Sequence, residues 1–431
     1  MSARARATEL ANTYQQLDRE AKRRFLTVLA EDFGTKASSV HAGIAAYQAA
    51  SDASTRVAAE AVLRDALTPP RRTLLTRFNE LEGGVKFLVD LRADLLPISS
   101  QSPELSGLDD DLKELLVSWF DFGFLELARI TWRSPAILLS KLIEYEAVHA
   151  IRSWEDLRNR LHSDRRCYAL FHPSMPDEPL AFLEVALCQG TARSVQSLLD
   201  ENAPHVDPNR ADTAVFYSIT SPQNGLRGIS FGEYLIKRAV DELSHDLPRL
   251  ARYVTLSPIP GFRVWLENRL ARTPEALEVD GVPAQLDTAT VRKMLEERSW
   301  ATPSSTAGQH ESTLLALCAR YFAERRADGQ PIDPVARFHL SNGARLDHLN
   351  WLGDISPKGI RQSLGLMVNY SYDLEDIDAN HEGYAQQREI AVSPAILALM
   401  NLANAPTGEV KLVSPLEQPD SEGSPGKPPA A

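Results

Sequence analysis

The sequence predicts an α+β protein: a helical N-terminal domain over residues 1–152, a mixed α/β domain over 153–405 with a helical insertion, and a disordered tail over 406–431. Three observations predict this. In the first third of the chain, apolar residues recur at helical spacing. From Cys167 onward, β-rich runs alternate with turn-forming segments. The passage Thr213–Leu243, TAVFYSIT-SPQNGLRGIS-FGEYLIKRAVDEL, then changes its apolar period from strand to helix across a glycine-bearing loop.

In chain order, residues 1–152 read as helices throughout. Leu81, Val85, Leu88, Leu91 and Leu95 step by three and four along one face. Asp109–Asp111 begin a further helix, placing acids at the positive end of its dipole ahead of Leu112, Leu115, Leu116, Trp119 and Phe120. Ser134-Pro135 is a cap and first-turn pair for a helix through Leu139, Ile143 and Tyr145. Ser153 with Asp156 starts another in the manner of a capping box. These stripes belong to helix-to-helix core or to a subunit interface.

CYALFHP (Cys167–Pro173) and LAFLEVALC (Leu180–Cys188), joined by SMPDEP, read as a hairpin, with Thr213–Ile219 as the neighbouring strand. A helix from Phe231 to Leu243 follows, then a strand over Arg252–Leu256 and a short helix over Val264–Leu270. Residues 271–335 read as a helical insertion whose clearest stripe is Leu314, Leu315, Leu317, Cys318 and Tyr321, and the sheet resumes near Phe338. From Ala405, Pro, Gly, Ser and Glu dominate, the composition of a disordered tail.

With 431 residues the chain is long enough for two or three cores, and a net charge of −12 argues against a general binder of nucleic acid or membrane surfaces. Cys167, Cys188 and Cys318 are too few and too scattered for a disulfide framework or a paired-cysteine zinc site, which suits a reducing cytoplasm. The N-terminus lacks the apolar core of a signal peptide, Arg4 and Arg6 are followed too soon by Glu9 for a transit peptide, and PGKPPAA is no peroxisomal address. No apolar run approaches the roughly 18 residues of a membrane span.

The loop after Ile219 holds Ser221, Pro222, Asn224, Gly225 and Gly228. A glycine loop that opens a helix offers backbone N–H groups and a positive dipole end, a seat for a pyrophosphate. Ser257 ends a predicted strand just before Pro258, where ligand crevices of such sheets lie, although Ser-Pro also serves to cap a following helix. His339, between Phe338 and Leu340, is either a satisfied core histidine or a proton-transfer group suited to neutral pH.

FYSIT, FGEYLIKR, LSPIPGF (Leu256–Phe262), FHLSNGA (Phe338–Ala344) and GLMVNYSY (Gly365–Tyr372) occur in this order. Together they resemble the malonyl-CoA decarboxylases, over roughly Tyr145 to Tyr372. The resemblance implies a catalytic domain of the GCN5-related N-acetyltransferase fold, with the glycine loop carrying the pyrophosphate of coenzyme A. It implies decarboxylation of malonyl-CoA to acetyl-CoA and carbon dioxide, with no metal or organic cofactor, because the thioester is the electron sink. By the family's motifs, Ser257 and His339 are the catalytic pair, Tyr372 lines the active site, and Ser218 is a second donor to the thioester oxygen or the carboxylate. Gly225, Leu226, Arg227, Gly228 and Ser230 become the pyrophosphate loop. Eukaryotic relatives carry a glutamate where this chain has Ser230; Glu233, one turn on, is either a substitute for it or a solvated helix residue. The family also implies a homo-oligomer, dimer or tetramer. Two alternatives are an acyl-CoA-dependent N-acyltransferase and a non-catalytic acyl-CoA-binding regulator; neither needs Ser257, His339 and Tyr372 together.

Overall fold

The computed structural model describes residues 2–229, 231–272, 295, 311–402 and 410–412. Helices α1 (Ala3–Gln16), α2 (Arg19–Glu31), α3 (Ala37–Ala49), α4 (Ala53–Leu67), α5 (Pro70–Asn79), α6 (Gly84–Ser99) and α7 (Ser106–Trp119) come first. Next are β1 (Glu126–Ile130), α8 (Ala136–Tyr145), α9 (Trp154–Arg160), β2 (Arg165–Phe171), β3 (Ala181–Cys188), α10 (Val195–Leu199), β4 (Thr213–Thr220) and α11 (Gly232–Asp246). After β5 (Arg252–Thr255), β6 (Ser257–Pro258) and α12 (Phe262–Arg272) come α13 (Glu311–Ala323), α14 (Pro334–Ser341), β7 (Arg345–Asn350), α15 (Pro357–Ser363) and β8 (Met367–Tyr372). The last are α16 (Ile377–Gln387), β9 (Ile390–Val392), α17 (Pro394–Leu402) and β10 (Val410–Leu412). Contacts divide the chain into two units, residues 1–184 with 218–246 and residues 185–217 with 247–431, the division running through β3 and β4.

In the first unit the predicted stripe is the core. Leu88, Leu91 and Leu95 of α6 are fully buried against Leu26, Leu75, Phe78, Leu108 and Leu112. Burying each such side chain contributes about 1.5–3 kcal/mol, which is why the helical half folds around α6. Ser153 caps α9 as expected, accepting the Asp156 N–H at 3.0 Å. Ser134 does not cap α8: its Oγ accepts the Thr131 N–H at 3.1 Å within the preceding turn. Nor is the region helical throughout. Glu126–Ile130 pairs antiparallel with β2, Ile130 opposite Cys167, because a five-residue run with Ile130 buried fits a sheet edge as well as a helical turn.

In the second unit the strand order is β4-β5-β8-β7-β9-β10, with β6 also on β8. The β4–β5, β7–β9 and β9–β10 pairs are parallel, and β5–β8, β6–β8 and β7–β8 antiparallel. Two expectations fail here. Phe338 is not the resumption of the sheet; it lies in α14, and the sheet resumes at Arg345. Within the expected tail, Val410–Leu412 form β10, which pairs parallel with β9 at the end of the strand order. The rest of 406–431 and most of the expected insertion lie outside the described residues. The hairpin of β2 and β3, and β4 next to β3, stand as expected.

Candidate active site

His339 is placed by a helix whose two ends are written in the sequence. Asp333 caps α14, accepting the Ala336 N–H at 2.8 Å, and Pro334 occupies its first turn. At the other end Gly343 takes φ +79 and its N–H bonds the Leu340 carbonyl, the left-handed stop that favours glycine. A Cβ on Gly343 would meet the Ile377 carbonyl oxygen at 2.1 Å, so no other residue fits. FHLSNGA is therefore a helix C-terminus. It points His339 inward, 3% exposed, with its ring stacked on Tyr370 at 4.5 Å. Burial pushes the imidazole down to about 3, so it is neutral at pH 7.

Ser257 opens β6, which continues the register of β5 along β8: Tyr253 faces Tyr372 and Ser257 faces Val368. Between them the backbone ladder gives way to side chains. The Tyr370 N–H donates to Thr255 Oγ1 at 3.0 Å, and Asn369 Nδ2 donates to the Thr255 carbonyl at 2.6 Å. Strand alternation puts Thr255 and Ser257 on one face. A buried chain of four side chains results. Thr255 Oγ1 lies 2.9 Å from Ser257 Oγ, Ser257 Oγ 3.1 Å from His339 Nε2, and His339 Nδ1 2.8 Å from Tyr372 Oη. The three residues singled out by the motifs are thus brought together. Thr255 was missed, although its position two before Ser257 was the available signal.

Ser218 belongs to the first unit and to a different cluster. Its Oγ lies 2.9 and 2.8 Å from the two carboxylate oxygens of Glu146, itself buried. Glu146 also accepts from Thr220 Oγ1 at 3.3 Å and from the Val148 and His149 N–H groups at 2.7 and 2.8 Å. A hydroxyl has one proton, and that of Ser218 goes to Glu146. Ser218 is therefore an acceptor toward anything else, not the donor that was expected. Glu233 does not stand in for a missing loop glutamate either: it pairs with Lys237 at 3.0 Å on the outer face of α11.

The glycine loop follows β4. Its amides are less free than the sequence suggests, since the N–H groups of Leu226, Arg227 and Ile229 bond the carbonyls of Gln223, Asn224 and Leu226. Gly225 is needed for packing: a Cβ there would lie 1.8 Å from the Val89 carbonyl oxygen of α6. Arg92, 2% exposed and paired with Asp109 at 2.7 Å, donates to the carbonyls of Gly225 and Arg227 at 2.7 and 2.9 Å. What remains for an anion is the exposed turn at Gly228, φ +82, with Arg227 beside it. A Cβ on Gly228 would lie 3.6 Å from Lys113 Nζ of α7, a cation that no local sequence pattern places there. Ser230 lies outside the described residues. Among the described residues no helix is long and apolar enough to cross a membrane.

Comparison with known proteins gives one answer along most of the chain. Residues 33–120 match the family model of the malonyl-CoA decarboxylase N-terminal domain, and residues 123–410 that of the C-terminal domain. "Malonyl-CoA decarboxylase, mitochondrial" of Anser anser anser is 37% identical over 426 residues, 93% of this chain and 84% of its own length. The protein of the same name from Rattus norvegicus is 37% identical over 421 residues, 92% and 86% of the two chains. The crystal structure of malonyl-CoA decarboxylase from Rhodopseudomonas palustris superposes with a TM-score of 0.84 at 44% identity, covering 91% of this chain and 94% of that one. That from Agrobacterium vitis has the same TM-score and identity, over 92% and 95%.

Proposed function

The chain belongs to the malonyl-CoA decarboxylase family, and on that premise we propose that Ser257, His339 and Tyr372 carry its reaction. The enzyme is a carboxy-lyase converting malonyl-CoA to acetyl-CoA and carbon dioxide. The bond between C2 and the free carboxylate breaks, its electron pair flows into the thioester carbonyl, and carbon dioxide leaves. The resulting enolate takes one proton at C2, and the protein regains one from water. Two tasks fall to side chains: donating a hydrogen bond to the developing enolate oxygen, and delivering the proton. The observation that carries the assignment is the buried chain from Ser257 Oγ through both nitrogens of His339 to Tyr372 Oη, at 3.1 and 2.8 Å. A neutral imidazole bonded at both nitrogens relays a proton by donating at one nitrogen as it accepts at the other.

The turn at Gly228, with Arg227 and Lys113, is the seat proposed for the pyrophosphate of coenzyme A. No metal or organic cofactor is needed in this scheme, since the thioester carbonyl accepts the electrons. The test is incubation with malonyl-CoA alone, without amine or added metal. Acetyl-CoA and carbon dioxide are expected in equal amounts, before and after treatment with a chelator. Activity lost to the chelator and restored by a divalent ion contradicts the scheme. An assembly of two or four copies rests on the family. A cytoplasmic location rests on cysteine usage, whereas the animal relatives are named mitochondrial.

A further inference from the structure

Thr255 is wholly buried on the strand face it shares with Ser257, and its hydroxyl has neighbours on two sides. One of them is directional. The Tyr370 N–H at 3.0 Å can only donate, so Thr255 Oγ1 accepts there. The other, Ser257 Oγ at 2.9 Å, can donate or accept. Either hydroxyl can be the donor of that bond, and among the described residues Ser257 Oγ is the one oxygen bonded to Thr255 Oγ1. Were Ser257 to donate inward, Thr255 would carry a buried proton with no partner, which is a costly arrangement. With Thr255 donating to Ser257, both the Tyr370 N–H and the Thr255 O–H of the strand-to-strand junction have acceptors.

We propose that Thr255 is a positioning residue for the decarboxylation: its hydroxyl, held as an acceptor by Tyr370, donates to Ser257 Oγ and so keeps the Ser257 proton turned away from the strand and toward the reaction. Both tautomers of His339 are compatible with this. With the ring proton on Nε2, Ser257 Oγ accepts from Thr255 and His339 together, and its own proton is left for the substrate. With the proton on Nδ1, Ser257 donates to Nε2 and Thr255 still donates to Ser257. A donor into a hydroxyl oxygen polarises its O–H bond and makes it a stronger donor. The inference rests on Ser257 taking part in the reaction.

The test is a pair of substitutions in two backgrounds. Thr255→Val keeps the branched shape and removes the hydroxyl; kcat should fall about tenfold or more, as loss of one net hydrogen bond in the transition state implies, with KM for malonyl-CoA little changed. Thr255→Ser should restore kcat. Val also leaves the Tyr370 N–H without an acceptor, so melting temperature drops whatever the role of Thr255. The deciding comparison is therefore made on top of Ser257→Ala. There Thr255→Val should cost no further kcat while lowering melting temperature as before. An equal fractional loss of kcat in both backgrounds, or wild-type kcat in Thr255→Val, overturns the proposal. If Ser257→Ala alone keeps wild-type kcat, the assignment of Ser257 falls, and this inference with it. Should Thr255→Val be too unstable to purify, Thr255→Cys, a weak donor and acceptor, replaces it with the same expected pattern.

Discussion

Two buried hydroxyl clusters, one in each unit, differ in where their protons can go. Around Glu146, the hydroxyls of Ser218 and Thr220 and two backbone N–H groups all point at one carboxylate, which can only take. Around His339, Thr255, Ser257 and Tyr372 form a chain through a neutral imidazole, in which the bonds at the two ring nitrogens can each be made from either side. The first arrangement fixes structure, since reversing any bond would leave a proton without an acceptor. The second can shift its protons along without moving a heavy atom. Both contain a serine that a family motif singles out, and only the arrangement of neighbours tells them apart.

If that contrast is correct, the largest loss of activity comes from the second cluster and the larger loss of stability from the first. Ser257→Ala and His339→Asn should each lower kcat by about two to four decades, the range for a missing general acid or oxyanion donor, with KM little changed. Neither change opens a large cavity, but Ser257→Ala leaves the buried Thr255 proton without its acceptor, so melting temperature should fall modestly there, by less than on removing a donor from a charged carboxylate. Ser218→Ala should do the reverse. Depriving buried Glu146 of a donor costs about 1–3 kcal/mol, a fall of several degrees by thermal melt, with a loss of kcat below the ~10²-fold typical of an oxyanion donor. A loss of that size or more at unchanged melting temperature would restore Ser218 to the role the sequence suggested.

A smaller effect separates the clusters by pH. Burial holds His339 down to about 3, below the ~6.5 of an exposed histidine, so the unfolded chain binds the extra proton first as pH falls. The stability that His339 contributes is complete above about pH 6.5 and is lost on acidification toward pH 3. Melting temperature should therefore fall between pH 7 and pH 5, and fall less in His339→Asn. For the same reason kcat/KM of the wild type should show no step near pH 6.5. A step there that disappears with His339 would mean that the free enzyme holds an imidazolium.

Much of this was legible in the sequence, and the failures have identifiable causes. The α6 stripe, the hairpin and the strand–loop–helix passage announce themselves because their apolar period is clean. The sheet does not resume near Phe338 as expected; Phe338-His339-Leu340 is too short to show a period. Asp333-Pro334 before it and Asn342-Gly343 after it are nevertheless a helix start and stop. Ser257, His339 and Tyr372 were found through motifs, since 82 and 33 residues separate the bonded pairs and no local pattern links them. Glu146 was invisible for the same reason: it bonds Ser218 from 72 residues away. Gly225 and Gly228 looked alike as loop glycines. Packing against α6 explains the first, and a positive φ the second.

The central claim is that Ser257 and His339 work as one unit, and a double-mutant cycle in kcat tests it most directly. Parts of one relay fail together, so the Ser257→Ala, His339→Asn double variant should be hardly slower than the poorer single variant. Strict additivity, with the two losses multiplying, would contradict the account: each residue would then act alone, and the 3.1 Å contact between them would have no part in the reaction.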